Sequence, residues 1–384
     1  MIPYGKQAIS EDDINAVVEV LRSDFITQGP KVPAFENALA NYCGAEHAVA
    51  TNSATSALHI ACLALGVGKG DIVWTSPISF VASSNCALYC GAGVDFIDID
   101  INSGNLSLTE LKQKLIKAEQ AQCLPKVVIA VHLAGQSCLM AEIKLLSKHY
   151  GFSIIEDASH AVGGQYQGKA IGCGQFSDII VFSFHPVKII TSAEGGMALT
   201  NNAVLADKLR LLRSHGIVSD QKRMTEASHG PWYYQQIALG FNYRMTELQA
   251  ALGLSQLNRL DEFVDKRNAL AKKYDDAFAD SSLSLLRPHG DNVSAYHLYI
   301  VLLAERDAKN HKSIIEQLRA KGICAHVHYI PIHLQPYYQE LGFNPGDFPV
   351  AEQYYQRAIS LPLFPNLSEQ EQHYIINTVK SLIG

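Results

Sequence analysis

One lysine, Lys188, lies in a segment where a charged amine is unusual. The preceding run Ile179–Phe182 is apolar and rich in β-branched residues, which predicts a buried strand. Ser183 follows that run, and Lys188 is the single charged residue between a short turn and two isoleucines. Burial favours the neutral amine of a lysine, the nucleophilic form that condenses with an aldehyde to give a Schiff base. The alternative is a lysine that extends from a loop into solvent.

A second polar segment, Asn52-Ser-Ala-Thr-Ser56, separates the predicted strand His47–Thr51 from the predicted helix Thr55–Leu65. The first amides of a helix lack carbonyl partners and carry about half a positive charge, so a helix start of this kind binds phosphate. The small side chains of Ser53, Ala54 and Thr55 let a phosphate approach the backbone. An ordinary helix cap made by Ser53 or Thr55 is the alternative.

An acidic segment, Glu156-Asp-Ala-Ser-His160, stands at the end of another predicted strand, Phe152–Glu156. Asp157 is well placed to meet a heteroaromatic nitrogen and to keep it protonated, which makes the ring a better electron sink. His160 would reach a hydroxyl on the same ring. A helix cap or an ion pair explains Asp157 equally well, and a polar core residue explains His160.

An aromatic side chain completes this set. Phe80 follows the predicted strand Asp71–Thr75 and is placed to stack on a cofactor ring, although core packing is the commoner role of a phenylalanine. Ser183 would donate a hydrogen bond to the phosphate. A phosphate site, an acid for a ring nitrogen, a stacking aromatic and a buried lysine together indicate pyridoxal 5′-phosphate (PLP).

The elements that must position these residues alternate between strand and helix from about residue 45 to residue 213. This pattern predicts an α/β fold with a mostly parallel sheet covered by helices. Ligands of such sheets lie at the carboxyl ends of the strands, where Ser53, Asp157 and Ser183 are expected. The further predicted strands are Val94–Ile97, Lys126–His132, Asp178–Phe182 and Met197–Thr200, and the further predicted helices are Phe80–Tyr89, Leu108–Ala118, Glu142–Tyr150 and Ala203–Arg213.

The last third of the chain predicts a smaller α/β domain. A long helical stretch reaches about Phe278, and the pattern then indicates a strand, a helix and a second strand over Cys324–Tyr329. We therefore expect a large domain over residues 1–250 and a small domain over residues 251–384. The polar and aromatic segment Ser219–Gln236 has no clear period, which predicts a surface loop or lid.

Composition excludes several classes of function. The chain has 384 residues and a formal net charge of −6, with no basic run, which argues against nucleic acid as a partner. It has no apolar stretch long enough for a membrane helix and no signal-peptide pattern. The eight cysteines contain no CxxC, so we expect reduced thiols and a cytoplasmic protein. The spacing of His326, His328 and His333 could hold a metal, but no carboxylate or cysteine completes the set, so no metal site is expected.

The motifs resemble those of the DegT/DnrJ/EryC1/StrS sugar aminotransferases, a branch of the fold-type I PLP enzymes. The resemblance extends from Tyr4 to the end of the chain, and the segments that carry it are Asn52–Thr55, Glu156–His160, Phe184–Lys188, Glu194–Gly196 and Gly240–Arg244. It implies a large domain with a mostly parallel seven-stranded sheet between helices and a smaller C-terminal α/β domain. It also implies a homodimer in which Asn242 reaches the phosphate of the partner subunit's site.

The resemblance implies a role for each candidate. Lys188 would bind the cofactor aldehyde and move protons, with Asp157 on the pyridine nitrogen and His160 on the ring. Ser53, Ala54, Thr55, Phe80 and Ser183 would complete the cofactor site. The sugar-nucleotide pocket would be lined by Tyr4, Asp24, Phe25, Ile26, Thr27, His326, Val327, His328 and Tyr329.

The expected substrates come from the branch of the family that serves pseudaminic acid synthesis. The segments that resemble this branch most are Phe25–Gly29, Pro77–Val81, Ser192–Gly196, Arg213–Gly216 and His326–Ile332. The donor would be L-glutamate and the acceptor C4 of UDP-4-keto-6-deoxy-L-AltNAc, a UDP-4-keto-6-deoxy-N-acetyl-hexosamine. Another nucleotide-linked 4-keto or 3-keto sugar, of the UDP-bacillosamine or dTDP-sugar type, stays open. A related sugar dehydratase would carry histidine in place of Lys188. A non-catalytic PLP-binding regulator is the remaining alternative.

Overall fold

A seven-stranded sheet forms the centre of the computed structural model, which describes residues 1–290 and 292–383. The strand order is β1-β9-β8-β5-β4-β2-β3, and only β9 runs antiparallel to its neighbours. The predicted mostly parallel seven-stranded sheet is thus confirmed. The sheet's strands are β1 (His47–Thr51), β2 (Ile72–Thr75), β3 (Gly93–Phe96), β4 (Val127–Val131), β5 (Ser153–Asp157), β8 (Ile179–Ser183) and β9 (Gly196–Thr200).

Helices cover both faces of this sheet, which explains the apolar character of its central strands. Every residue of β4 and of β8 is buried, as expected for parallel strands between two helical layers. The helices are α1 (Glu11–Leu21), α2 (Lys31–Cys43), α3 (Ala54–Ala64), α4 (Ala82–Tyr89), α5 (Leu108–Gln120), α6 (Met140–Tyr150), α7 (Ala203–Arg213), α8 (Glu247–Leu257), α9 (Leu260–Phe278), α10 (His311–Ala320), α11 (Pro336–Glu340), α12 (Pro349–Tyr355) and α13 (Glu369–Ile383). Within the described ranges, none of them combines the length and the apolar character needed to cross a bilayer.

A second, antiparallel sheet lies in the C-terminal part of the chain. It consists of β12 (Ser284–Leu285), β13 (Tyr299–Leu302) and β14 (Ala358–Leu361). The long helix α9 links the two regions: Phe263 packs in the core beside the large sheet, whereas Tyr274 packs in the core beside the small one. The N-terminus also reaches the small sheet's region, because Ile2 pairs with Ile323. The division at residue 250 stays a prediction.

Several sequence predictions need correction. The segment Cys324–Tyr329 is not a strand, because its backbone groups bond to scattered partners and only His326 pairs with Ser360 of β14. The pattern of β14 itself went unrecognised, as did helices α1 and α2. The predicted single helix ending at Phe278 is two helices, α8 and α9.

The segment Ser219–Gln236 forms a surface excursion, as predicted. Two short strands, β10 (Ile217–Val218) and β11 (Gln235–Gln236), pair at its base. A last short pair, β6 (Gln165–Tyr166) and β7 (Lys169–Ala170), lies elsewhere on the fold. Trp232 is 76% exposed at the far part of the excursion, and a lid function for this segment stays a prediction.

Candidate active site

A cavity of about 490 Å³ opens at the carboxyl ends of the central strands. Asp157 ends β5 and Ser183 ends β8, and the loops after β1 and β2 bring their own residues to the same edge. Eleven predicted site residues line it, namely Tyr4, Ser53, Ala54, Thr55, Phe80, Asp157, His160, Ser183, Lys188, His328 and Tyr329. The folded chain therefore brings together residues separated by more than 300 positions.

The Lys188 amine has no protein partner within the described part of the chain: no hydrogen bond and no ion pair ends on its Nζ atom. Burial lowers the pKa of Lys188 from 10.5 to about 8, and the nearby negative charge of Asp157 opposes part of this shift. A pKa near 8 leaves roughly a tenth of the amine neutral at pH 7, against fewer than about one molecule in a thousand for an ordinary lysine. Lys188 thus has the properties of a nucleophile.

The Asp157 carboxylate is held in place by two serine side chains. Ser83 of α4 donates from Oγ to Oδ2 at 2.6 Å, and Ser159 donates from Oγ to Oδ1 at 2.6 Å and from its amide at 3.2 Å. Hydrogen bonds of this kind fix the direction of the carboxylate. Sequence reasoning missed Ser83, because only the packing of α4 against the sheet, beside β2 and β3, brings it to this carboxylate.

The start of α3 presents free amides to the cavity. Ser53 is the N-cap, and its Oγ accepts from the amide of Ser56 at 3.1 Å, so the capping interpretation is right for this side chain. The amides of Ala54 and Thr55 stay available, since the helix supplies no carbonyl for its first N–H groups. Gly196 lies against this turn so closely that a Cβ atom there would stand 2.5 Å from the Ala54 nitrogen.

Three histidines form the inner wall of the cavity. His160, His297 and His328 are all buried, and burial is the main reason that the pKa of each is lowered, to about 3 for His328. The nearby Lys188 ammonium acts in the same direction on all three. These imidazoles are therefore neutral at physiological pH. His297 was missed, because a single histidine just before an apolar strand gives no signal in the sequence.

Several predicted residues lie away from this cavity. Asp24, Phe25, Ile26 and Thr27 are exposed in the loop between α1 and α2, and Asn242 is exposed beside Ser214. His326 and Val327 precede the cavity wall without lining it.

A second cavity, of about 310 Å³, is lined by one of these residues, Thr27. Thr27, Arg213 and Arg244 line it, and so does Ser214, the backbone partner of Asn242. Two arginine side chains in one cavity favour an anionic ligand. Arg213 is held by the carboxylate of Glu36 and by the carbonyl of Ala50, whereas Arg244 makes no hydrogen bond from its side chain to any described residue.

The residues around the first cavity fit PLP. Two free helix amides, a carboxylate fixed by two hydroxyl groups and an unpartnered amine supply a site for each end of the cofactor. The histidines whose spacing was weighed for a metal have separate partners: His328 bonds to Ser360 and His333 to Glu352. Over residues 1–290 and 292–383, no cluster of three or more His, Cys, Asp or Glu side chains is placed to hold one.

Comparison with known proteins identifies the family. The model of the DegT/DnrJ/EryC1/StrS aminotransferase family matches residues 7–380. The chain belongs to this family. The DegT/DnrJ/EryC1/StrS aminotransferases are fold-type I enzymes that depend on PLP, so the protein is a PLP-dependent sugar transaminase.

Three relatives are informative. The UDP-4-amino-4,6-dideoxy-N-acetyl-beta-L-altrosamine transaminase of Campylobacter jejuni is 38% identical over 384 residues, which cover 100% of this chain and 98% of that protein. The structure of Helicobacter pylori PseC, an aminotransferase involved in the biosynthesis of pseudoaminic acid, superimposes with a TM-score of 0.91 at 35% identity, covering 100% and 99% of the two chains. The PLP form of the sugar aminotransferase Spr1654 of Streptococcus pneumoniae gives a TM-score of 0.89 at 31% identity, covering 100% and 98%.

Proposed function

We propose that this enzyme transfers the amino group of L-glutamate to C4 of UDP-4-keto-6-deoxy-L-AltNAc, the step that gives the 4-amino sugar of pseudaminic acid synthesis. The observation that carries the proposal is the unpartnered Lys188 amine beside Asp157 in the main cavity. Support for the sugar comes from the name of the Campylobacter relative, whose similarity extends over the whole chain.

Bound PLP supplies an aldehyde that condenses with amines and a ring that spreads negative charge. Asp157 would hold the ring nitrogen protonated through the carboxylate that Ser83 and Ser159 orient. Lys188 Nζ would take up and return the proton at the reacting carbon, a task suited to an amine whose pKa burial has lowered to about 8.

The remaining cofactor contacts follow from the cavity. The amides of Ala54 and Thr55, together with the Ser183 hydroxyl, would hold the phosphate. Phe80, which is 60% exposed at the cavity mouth, would cover the ring and exclude water from it.

The assembly that we propose is a homodimer with shared sites. Asn242 and the loop Asp24–Thr27 do not line the main cavity, and Thr27 lines the second one, so each would serve the site of a partner subunit. Arg244 would meet the diphosphate of the nucleotide from there. A cytoplasmic location is part of this proposal, since all eight cysteines are free thiols in the structure.

The activity is tested by incubating purified protein with PLP, L-glutamate and UDP-4-keto-6-deoxy-L-AltNAc. A parallel reaction contains the D-Glc counterpart of this UDP-4-keto sugar. We expect the amino sugar and 2-oxoglutarate in equal amounts, the L-AltNAc substrate to react faster, and no product from Lys188→Ala. If no nucleotide-linked keto sugar offered gives an amino sugar, the aminotransferase proposal is refuted and the non-catalytic PLP-binding regulator is the alternative that stands. Faster reaction with a different keto sugar would refute the assignment of the substrate alone.

Shared sites are tested by mixing two inactive variants, Lys188→Ala and Asn242→Ala. In a mixed dimer, one site carries both substitutions and the other carries neither. We expect about a quarter of wild-type activity to return, as random pairing predicts. Asn242 acting within its own subunit would leave the mixture inactive.

A further inference from the structure

Helix α12 begins on a carboxylate that lies in a distant part of the sequence. Its N-cap residue, Phe348, makes no side-chain hydrogen bond to the helix, and Pro349 occupies the first turn without an amide hydrogen. The amides of Val350 and Ala351 donate instead to the two carboxylate oxygens of Asp98, each at 2.9 Å. A negative charge at this position satisfies two free amides and interacts favourably with the positive end of the helix. Asp98 therefore fixes where α12 starts.

The last turn of α12 carries a buried tyrosine that contacts the wall of the main cavity. The hydroxyl of Tyr354 donates to the backbone carbonyl of His328 at 2.9 Å. This carbonyl belongs to the peptide that joins His328 to Tyr329, and both of these side chains line the main cavity. Burial raises the pKa of Tyr354, so the phenol keeps its proton and remains a donor.

The two contacts are joined by a single rigid element. Ala351 and Tyr354 stand about one turn apart on α12, and both are completely buried. A shift of the helix start along its axis would therefore move the Tyr354 hydroxyl by a similar distance. The His328 side chain has a separate support, because its Nδ1 atom lies 2.8 Å from the Ser360 hydroxyl of β14. Within the described part of the chain, the His328 carbonyl accepts a hydrogen bond from Tyr354 alone.

We propose that Tyr354 is a positioning residue that holds the His328–Tyr329 peptide in the wall of the sugar-nucleotide pocket, and that Asp98 acts on the same peptide through α12. Neither Tyr354 nor Asp98 lines the cavity itself. The ligand of the pocket, a nucleotide-linked keto sugar, rests on the proposed function, whereas the contacts from Asp98 to the peptide do not.

The kinetic consequence is tested with Tyr354→Phe, which removes one hydroxyl group and keeps the ring. The KM for the keto sugar should rise about tenfold, the size of one lost hydrogen bond to a buried carbonyl, with little change in kcat. The first half-reaction with glutamate, followed by the absorbance of the cofactor, should keep its wild-type rate because no sugar is bound in it. The matched control is Tyr274→Phe, which should leave this KM unchanged. The Tyr274 hydroxyl is equally buried and donates to the Pro362 carbonyl at 3.0 Å, in the core beside the small sheet.

The contribution of the carboxylate is tested with Asp98→Asn. The asparagine side chain has one acceptor oxygen in place of two, so one of the two α12 amides loses its partner. The KM for the keto sugar should rise, and the double variant with Tyr354→Phe should have no higher KM than Tyr354→Phe alone. Increases in KM that multiply in the double variant would show that Asp98 does not act through Tyr354.

A second measurement, by NMR, needs no sugar. In PLP-loaded enzyme labelled with carbonyl-¹³C histidine and ¹⁵N tyrosine, the His-Tyr pairs of the sequence, at residues 149–150, 328–329 and 373–374, each give one signal. The signal of the 328–329 peptide is assigned by its loss in Tyr329→Phe. It should move in Tyr354→Phe and in Asp98→Asn and stay in place in Tyr274→Phe.

Failure of this inference differs from failure of the proposed function. A 328–329 signal that moves in neither variant refutes the contacts from Asp98 to the peptide, whatever the enzyme's substrate. A signal that moves while the KM for a keto sugar used by the wild type stays unchanged refutes the positioning role. If the signal moves but the wild type converts no keto sugar, the proposed function fails, and with it the ligand assigned to the pocket, while the contacts stand.

Discussion

Replacing Lys188 by methionine should stabilise the cofactor-free protein at neutral pH. Burial lowers the pKa of this lysine from 10.5 to about 8, so below pH 8 the fold must hold a charged amine in a poorly solvated place. The difference between the two pKa values corresponds to up to about 3 kcal/mol. Methionine has nearly the same length and no charge, so Lys188→Met should gain up to this amount at pH 7.

The dependence on pH isolates the charge from any change in packing. Between pH 8 and pH 10.5 the unfolded lysine binds a proton that the folded lysine has lost, so wild-type stability rises with pH across this window. The advantage of Lys188→Met should therefore shrink as pH rises from 8 to 10.5.

The assay is urea unfolding of cofactor-free protein at fixed protein concentration, followed by circular dichroism. Lys148→Met, at an exposed position of α6, is the matched control and should show no such trend. An advantage of equal size at pH 7 and pH 10 would refute the reasoning, because it would reflect packing and not a desolvated charge.

Three further predictions concern the support of the site. Gly196→Ala should weaken PLP binding at least about tenfold by displacing the start of α3. Both affinities are measured by fluorescence titration with PLP. The control is Gly68→Ala, where a Cβ atom meets nothing within 4 Å, and it should bind PLP like wild type. Equal PLP affinities for the two variants would contradict the close approach of Gly196 to Ala54. Glu156→Gln should lower the free energy of unfolding in urea by about 1–3 kcal/mol, because the buried carboxylate accepts a hydrogen bond from His132 Nε2 at 2.8 Å. An unchanged urea midpoint would show that this hydrogen bond contributes nothing to stability. Glu247→Ala removes the carboxylate that accepts hydrogen bonds from the first two amides of α2. It should raise the KM for the nucleotide sugar with little change in PLP affinity. An unchanged KM would show that the start of α2 does not contribute to the substrate site.

The hydrophobic pattern alone predicted the central sheet and most of its helices. Strands such as β4 and β8 are short, apolar and followed by polar residues, and this local signal survives folding because both of their faces are buried. The same pattern failed at Cys324–Tyr329, where alternating side chains resemble a strand. There the backbone groups bond to Ile2, Ser360 and Tyr354 instead of to one neighbouring strand.

The sequence by itself determined the chemical inventory: a lysine in an apolar setting, a carboxylate at a strand end and a helix start with small side chains. Residue type and immediate neighbours carry that information. Tertiary structure alone decided that Ser83 orients Asp157, that His160 bonds to Tyr329, and that Asn242 does not line the Lys188 cavity. Those relations join residues far apart in the chain, and only the packing of helices and loops against the sheet sets the distances between them.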